Sequence, residues 1–521
     1  MAVQKVLLGG QWVAADSSGT FTAENPRTGE ALADSYPVSS WSDCDKALHA
    51  AREAFDHLRT MPRDQIAQFL EKYAELIEQR KDSICALAAE ETALPVSPRL
   101  ADVELPRTTN QLRQAAAACR NGSWALPTID TKANIRSCLA AIGPVVVFGP
   151  NNFPLAFNGV SGGDFAAAVA AGCPVIAKSN SLHPGTTRLL AEAAHDAACA
   201  TNMPAGTIQL LYRLDHADGE RLVADRRIGA TGYTGSRSAG LKLKAAADAA
   251  GKPIYLELSS VNPVVILPGA LRERGAALAD EFASSCLMGT GQFCTNPGLI
   301  VLVAGQATED FVAAVGEKFA AAPVGTLLSR GGARSLAEAI EVLKTAGAAV
   351  VAGGEGGGGT GASYQNTWMR INGDEFLQRP HLLQTEAFGN ASLCVVAGDI
   401  AEVKRILDQL EGNLTGCIYS HTQGEDDADY AAIEPHLRQH VGRLLNDKMP
   451  TGVAVSPAMN HGGPFPSTGH PGFTAVGIPA SLRRFAMLQC YDNVRPSRLP
   501  ELLLDDNPLG ATRFVDGQAR S

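Results

Sequence analysis

The amino-acid sequence predicts an α/β protein whose first body is a doubly wound parallel sheet of the nucleotide-binding type. Three observations carry that expectation. Within residues 144–258, five short, β-branched apolar runs alternate with four helix-forming segments, the pattern of parallel strands joined by crossover helices. From about Val264 to residue 440 the alternation continues, so a second α/β body follows. The chain of 521 residues is 45% hydrophobic and 19% charged, a globular composition too long for a single core.

The elements follow in order. Residues 41–90 are expected to be helical, because Leu48, Ala51, Phe55 and Leu58 fall at helical spacing and a second apolar stripe runs through 64–90. Residues 144–148 form a buried strand closed by Gly149-Pro150, and a helix of small residues is expected over 158–171. Strand 174–178 and helix 184–200 come next, with Pro184 where a first helical turn tolerates it. Strand 207–211, a short helix 217–224, strand 228–233, helix 236–249 and strand 254–258 complete the series. The fixed hand of the crossovers then makes the layer doubly wound. In the second body, the glycine run 353–361 reads as a flexible surface loop, since no Gly-Lys-Ser/Thr follows it as a phosphate loop requires. The Pro- and Leu-rich tail after Tyr491 is expected to pack on the body or on a partner subunit.

Composition excludes several classes. A net charge of −10, with no basic stripe, argues against nucleic acid or an anionic membrane as the main partner. The apolar run after Met1 is too short for a signal peptide, and the stretch 165–177 is broken by Gly172 and Pro174, so no bilayer span is expected. Eleven cysteines occur without a CxxC pair or a Cys/His ligand spacing. They read as reduced thiols of a cytoplasmic protein with no metal site.

Four places could carry chemistry. Cys294 sits among small and polar residues in a turn-rich segment, Gly289 to Gly298. That context suits a nucleophile with nearby donors favouring thiolate, whereas Cys173 and Cys286 suit a structural role. Glu257 ends a strand at the sheet edge where such folds place ligands, though a solvated carboxylate is the ordinary alternative. Asn152 follows the first strand and could donate to an oxyanion or form an Asx turn. Gly235 and Ser236 lie in a strand-to-helix turn that could hold pyrophosphate or be a simple cap.

Together these segments resemble the aldehyde dehydrogenase superfamily, over essentially the whole chain. Asn151-Asn-Phe-Pro154 resembles the family's Trp-Asn-Phe-Pro, Val175-Ile-Ala-Lys178 its cofactor-lysine strand, and Tyr233-Thr-Gly-Ser236 its Phe-Thr-Gly-Ser turn. Glu257-Leu-Ser-Ser260 is similar to Glu-Leu-Gly-Gly with both glycines changed. Gly291-Gln-Phe-Cys294 is similar to Gly-Gln-x-Cys, and Thr385-Glu-Ala-Phe-Gly389 to Glu-Glu-x-Phe-Gly. Ser259-Ser-Val-Asn-Pro263 and His461-Gly-Gly-Pro-Phe-Pro466 resemble one branch, that of 2,5-dioxovalerate dehydrogenases and NADP-dependent fatty-aldehyde dehydrogenases.

The resemblance implies oxidation of an aldehyde to its acid through a thiohemiacetal and a thioester on Cys294. Asn152 would stabilise the oxyanion and Glu257 would activate water. Lys178 and Glu386 would hold ribose hydroxyls of the dinucleotide, Ser236 at the Gly235 turn its pyrophosphate, and Phe388 would pack near the nicotinamide ribose. NADP is expected over NAD, with NAD possible, because Ser181 stands where NAD-selective members carry a glutamate. His216 falls where NADP users often have an arginine, with Arg213 close by. The implied substrate is 2,5-dioxovalerate, with aliphatic aldehydes second, in a tunnel lined by Phe153, Phe157, Phe293 and Phe465. A coenzyme A-acylating relative would usually lack the hydrolytic carboxylate, and a catalytically silent scaffold would be expected to have lost Cys294, Glu257 or Asn152. The implied organisation is a cofactor-binding domain over 1–125 and 141–258, a catalytic domain over 259–470, and a bridging, oligomerisation element with the tail over 126–140 and 471–521. A homodimer or homotetramer is implied.

Overall fold

The apolar runs that follow residue 144 pair edge to edge into one parallel layer. The computed structural model describes residues 3–472 and 474–521; Met1 and Ala2, which begin the N-terminal run, lie outside them. The parallel strands lie in the order Ile254–Glu257, Ala230–Thr234, Val145–Phe148, Val175–Lys178 and Ile208–Leu211. Val145–Phe148 pairs with the second strand of the series on one side and the fourth on the other. This reversal of order opens a crevice at the carboxyl ends of the strands, because the helices leaving them cross to opposite faces. The strands are almost wholly buried, and Phe148, Lys178 and Thr234 emerge only at the crevice end.

Two N-terminal features were not anticipated, both of them strands. Val6–Leu8 and Gln11–Val13 extend the sheet antiparallel beyond Ile208–Leu211, and they are too short to show a period. Ser17–Glu24, Ala31–Ser39 and Arg213–Leu214 form a separate three-stranded sheet. The helical region after residue 40 is three helices, Trp41–Leu58, Arg63–Gln79 and Lys81–Thr92. The helix expected over 158–171 is shorter, Gly163–Ala170, and Asn158 is the reason. Its buried amide donates to Pro154 O (2.8 Å) and Thr187 Oγ1 (2.9 Å) and its oxygen accepts from Val160 N (3.2 Å), bonds that hold this stretch in turns.

The second body is a seven-stranded sheet in the order Ala349–Ala352, Thr367–Asn372, Ala391–Ala397, Leu299–Val303, Val264–Ile266, Asn413–Tyr419 and Val441–Asn446, with only the first pair antiparallel. The glycine run 353–361 is a surface loop tied back by Gly357 N to Ser363 O (3.0 Å), next to Ala362 N donating to Pro26 O (2.9 Å). A five-stranded sheet gathers Ala486–Asp492, Ile135–Ala141, Thr128–Asp130, Arg513–Val515 and Gln518–Arg520. The tail therefore packs on its own chain, with Leu502 and Leu503 buried. No helix among the described residues is long and apolar enough to cross a membrane.

The loop after Val145–Phe148 is held from beneath by Glu104. This fully buried carboxylate accepts from Leu155 N (2.8 Å) and Ala156 N (3.0 Å) through one oxygen and pairs with Arg99 through the other. Glu104→Ala would leave two backbone donors and a cation without their acceptor. Removing one partner of a buried pair costs about 3–5 kcal/mol, so urea unfolding should show that loss together with reduced activity. A change under about 1 kcal/mol, the net worth of one ordinary hydrogen bond, would mean that water replaces the carboxylate.

Candidate active site

Cys294 lies between the short turn Met288–Gly291 and strand Leu299–Val303 of the second sheet. Its loop passes so close to a neighbouring segment that a Cβ on Gly291 would fall 2.0 Å from Gly389 O, and Gly291 has φ of 68°. Only glycine fits there. The Asn262 amide donates to the carbonyls of Cys294 (2.9 Å) and Asn296 (2.8 Å). Asn262 is fixed in turn by Asn413, whose Oδ1 accepts from Val261 N (2.9 Å), Asn262 N (3.1 Å) and Ser260 Oγ (3.1 Å). Sequence reading gave neither asparagine a role; a polar amide next to an apolar strand was the available signal.

Three elements converge on the sulfur. Buried Asn152, from the first sheet's loop, donates to Gln292 O (3.0 Å) and lies 3.6 Å from Cys294 Sγ. Glu257 ends strand Ile254–Glu257. His461 arrives from the segment after Val441–Asn446, and its Nε2 lies 2.9 Å from Glu257 Oε1, with both side chains buried. A carboxylate can only accept, so the imidazole donates. The second Glu257 oxygen and His461 Nδ1 are buried with no hydrogen-bond partner among the described residues. Donor atoms of Glu257, Cys294 and His461 all lie within 4.8 Å of one another, close enough to hold a metal ion. No such cluster was evident in the sequence, because its members come from three separate segments.

The electrostatics correct one expectation. Burial pushes the Cys294 thiol well above its usual range, and the adjacent Glu257 charge adds to this, outweighing the Asn152 amide. The sulfur rests as a thiol rather than as the thiolate that its polar neighbours suggested. Burial alone would also raise the Glu257 carboxyl, but the His461 charge and hydrogen bond outweigh it and hold it below the usual range. The proton therefore sits on sulfur and the negative charge on the carboxylate beside it. Cys173 and Cys286 are fully buried, and burial pushes their thiols up to about 11 and about 12.

A cleft of about 540 Å³ opens at the reversal of strand order, lined by Lys178, Ser181, Arg213, His216, Gly235 and Ser236 among others. Burial pulls Lys178 down to about 8, with repulsion from Arg213 adding to it. Ser236 precedes helix Arg237–Ala249 and makes no side-chain cap bond, which leaves first-turn N–H groups for an anion. Glu386 and Phe388 lie apart from this cleft, in a small cavity with Ser260, Gly291 and Phe293 beside Cys294. Glu386 accepts from Ser260 N (3.2 Å), and burial pushes its carboxyl up to about 7. A half-buried lysine and a half-buried carboxylate, neither ion-paired among the described residues, fit a molecule with phosphates at one end and ribose hydroxyls along it. Phe153 packs edge-on against Phe157 (5.3 Å) and Phe293 (5.4 Å). Phe465 does not join this wall: it is 54% exposed and stacks under Arg237.

His461→Ala would let burial raise the Glu257 carboxyl, so the carboxylate would be lost at a higher pH on acidification. The acid limb of the kcat–pH profile should move up, and kcat at pH 7 should fall roughly ten-fold or more, within the 10²–10⁴ that a general base typically contributes. An acid limb at its wild-type position would show that another group holds Glu257 ionised.

Comparison with known proteins agrees with this geometry. The model of the aldehyde dehydrogenase family matches residues 12–433. Alpha-ketoglutaric semialdehyde dehydrogenase 2 of Azospirillum brasilense is 39% identical, covering 99% of both chains. An alpha-ketoglutaric semialdehyde dehydrogenase of Acinetobacter baylyi is 35% identical, covering 98% of both. Among solved structures, an aldehyde dehydrogenase C mutant from Pseudomonas syringae with NAD+ and octanal shares the fold at a TM-score of 0.80 and 20% identity, covering 95% of this chain and 98% of that one. A Thermus thermophilus 1-pyrroline-5-carboxylate dehydrogenase mutant does so at 0.81 and 23% identity, covering 94% and 92%. The chain belongs to the aldehyde dehydrogenase family.

Proposed function

We propose that this NAD(P)-dependent aldehyde dehydrogenase oxidises 2,5-dioxovalerate, a short oxo-acid semialdehyde, to 2-oxoglutarate. The observation that carries the reaction is the convergence of Asn152, Cys294, Glu257 and His461. The substrate is supported by the two whole-chain relatives, both named for this semialdehyde.

Glu257, within 4.8 Å of the sulfur, takes the Sγ proton, and the sulfur attacks the aldehyde carbon. The Asn152 amide and the Cys294 backbone N–H receive the oxyanion; losing one such donor typically costs about 3–4 kcal/mol. When bound, the dinucleotide supplies the oxidising power by accepting a hydride, and the acyl group is left as a thioester on Cys294. Glu257, its proton passed to solvent and its carboxylate held by His461, then deprotonates the water that hydrolyses the thioester. Lys178 and Glu386 would hold ribose hydroxyls, the Gly235-Ser236 turn would receive the pyrophosphate, and Phe388 would pack near the nicotinamide ribose. In this reading 1–125 and 141–258 serve the cofactor, 259–470 the chemistry, and 126–140 with 471–521 bridge protomers. Exposed Leu488, Met487 and Phe514 on the five-stranded sheet support a homodimer or homotetramer, and eleven free cysteines support a reducing compartment, the cytoplasm.

Comparing kcat/KM for 2,5-dioxovalerate, hexanal and benzaldehyde tests the substrate. The semialdehyde should lead by ten-fold or more, about 1.4 kcal/mol in transition-state binding. A ten-fold lead for the neutral aldehydes would overturn it in favour of an aliphatic aldehyde dehydrogenase.

For the cofactor we propose NADP over NAD. Ser181 brings no carboxylate to repel a 2′-phosphate, and Lys178 and Arg213 put two cations on one wall of the cleft. A lysine with its pKa lowered to about 8 is charged below that pH and neutral above it. The NADP-to-NAD ratio of kcat/KM should therefore be largest near pH 7 and shrink by pH 9, and Ser181→Glu should shift it towards NAD. A clear NAD preference at pH 7 would overturn the assignment.

A further inference from the structure

A dioxovalerate substrate ends in a carboxylate, and three arginines are candidates to meet it. Arg99 pairs with Glu104 and donates to Asn152 O (3.0 Å). Arg443 donates to the carbonyls of Pro450 (2.8 Å) and Gly452 (3.2 Å). Both are committed to the protein through their Nη groups, with only Nε unpartnered in each. Arg107, in the first turn of helix Leu105–Asn121, is not. Its Nη1 donates to Val453 O (2.7 Å), while Nε and Nη2 are buried without a hydrogen-bond partner, and no carboxylate pairs with it among the described residues. Unpaired buried donors on a cation cost free energy, and a site keeps such a group when a ligand supplies the partner.

We propose that Arg107 receives the distal carboxylate of the substrate and thereby selects oxo-acid semialdehydes over neutral aldehydes of the same length. The inference rests on the substrate reading above and adds the residue responsible. Arg107 stacks over Phe157 (5.1 Å) and Phe153 (5.7 Å). Phe153 follows Asn152, which touches the Cys294 sulfur, and meets Phe293, which precedes Cys294. The guanidinium thus stacks on the aromatic cluster that flanks the nucleophile, near enough for the charges of Cys294 and Glu257 to act on it. In 2,5-dioxovalerate four C–C bonds separate the aldehyde carbon from the carboxylate carbon, about 5 Å when extended. Nε and Nη2 are the edge of a guanidinium that grips a carboxylate through two parallel hydrogen bonds. An aromatic wall that excludes water strengthens that pair. A neutral aldehyde would leave the two donors unpaired, which is the stronger route to discrimination.

The test compares Arg107→Met and Arg107→Lys with the wild type on 2,5-dioxovalerate and pentanal, with glutarate as a competitive inhibitor of pentanal oxidation. In Arg107→Met, kcat/KM for dioxovalerate should fall about 100-fold, chiefly through KM, in line with removing one partner of a buried charge pair. Pentanal oxidation should change less than about three-fold and reports that the variant is folded. Glutarate inhibition should disappear, and Arg107→Lys should retain part of the preference. Equal losses on both substrates, or undiminished glutarate inhibition in Arg107→Met, would overturn the role of Arg107. A wild type with no preference for dioxovalerate would instead overturn the substrate reading, whereas a preference unchanged in Arg107→Met would overturn Arg107 alone.

Discussion

The hydrogen bond from His461 to Glu257 joins two bodies of the protein at the point where the chemistry occurs. Glu257 is the last residue of a strand in the first sheet, and His461 belongs to the segment that leaves the second. A lone carboxylate this buried would take up a proton, because low-dielectric surroundings penalise its charge. The imidazole reverses that balance, and the ionised carboxylate in turn keeps the Cys294 proton on sulfur. The contact sets the resting charge of the carboxylate, which adds to the effect of burial on the thiol. The main chain reinforces it: Leu258 N donates to Ser467 O (2.8 Å), and Glu257 forms a bridge with Thr468.

Around that contact, the segments carrying reactive groups are irregular, yet each is pinned by a buried polar side chain. Glu104 holds the Asn152 loop, Asn262 and Asn413 hold the Cys294 loop, and Gly291 lets the latter pass within contact of Gly389. This is how loops reach the positional precision that catalysis needs while sitting on rigid sheets. A second set of charged groups is left without counter-ions among the described residues. Lys178, Arg107 and Glu386 are half-buried and carry no counter-ion among the described residues, at a cost to stability. Each lies where the proposed ligands would supply the missing partner: a phosphate or hydroxyl at Lys178, a carboxylate at Arg107, ribose hydroxyls at Glu386. Stability given up at a binding site is recovered when the ligand arrives.

The parallel layer was legible because burial on both faces demands continuous β-branched runs, and crossover helices separate them at regular intervals. The same logic overran at 158–162, ahead of helix Gly163–Ala170, where the amide of Asn158 competed for the backbone. It also failed at the N-terminus, where strands such as Val6–Leu8 are too short to display a period. Phe465 shows the limit of reading by composition: aromatic and within the segment 461–466, it is 54% exposed under Arg237 and does not join the Phe153 wall.

The sequence by itself determined the family, the doubly wound layer and the residues of short local motifs: Cys294, Glu257, Asn152, Lys178 and the Gly235-Ser236 turn. These are legible because turn chemistry and strand ends act over a few neighbouring residues. Only the tertiary structure decided that His461 meets Glu257, that Arg107 stands unpaired beside the aromatic wall, and that the thiol keeps its proton. Those properties arise from burial and from contacts between distant segments. Desolvation and Coulomb terms depend on the assembled interior, and no local pattern in the chain encodes them.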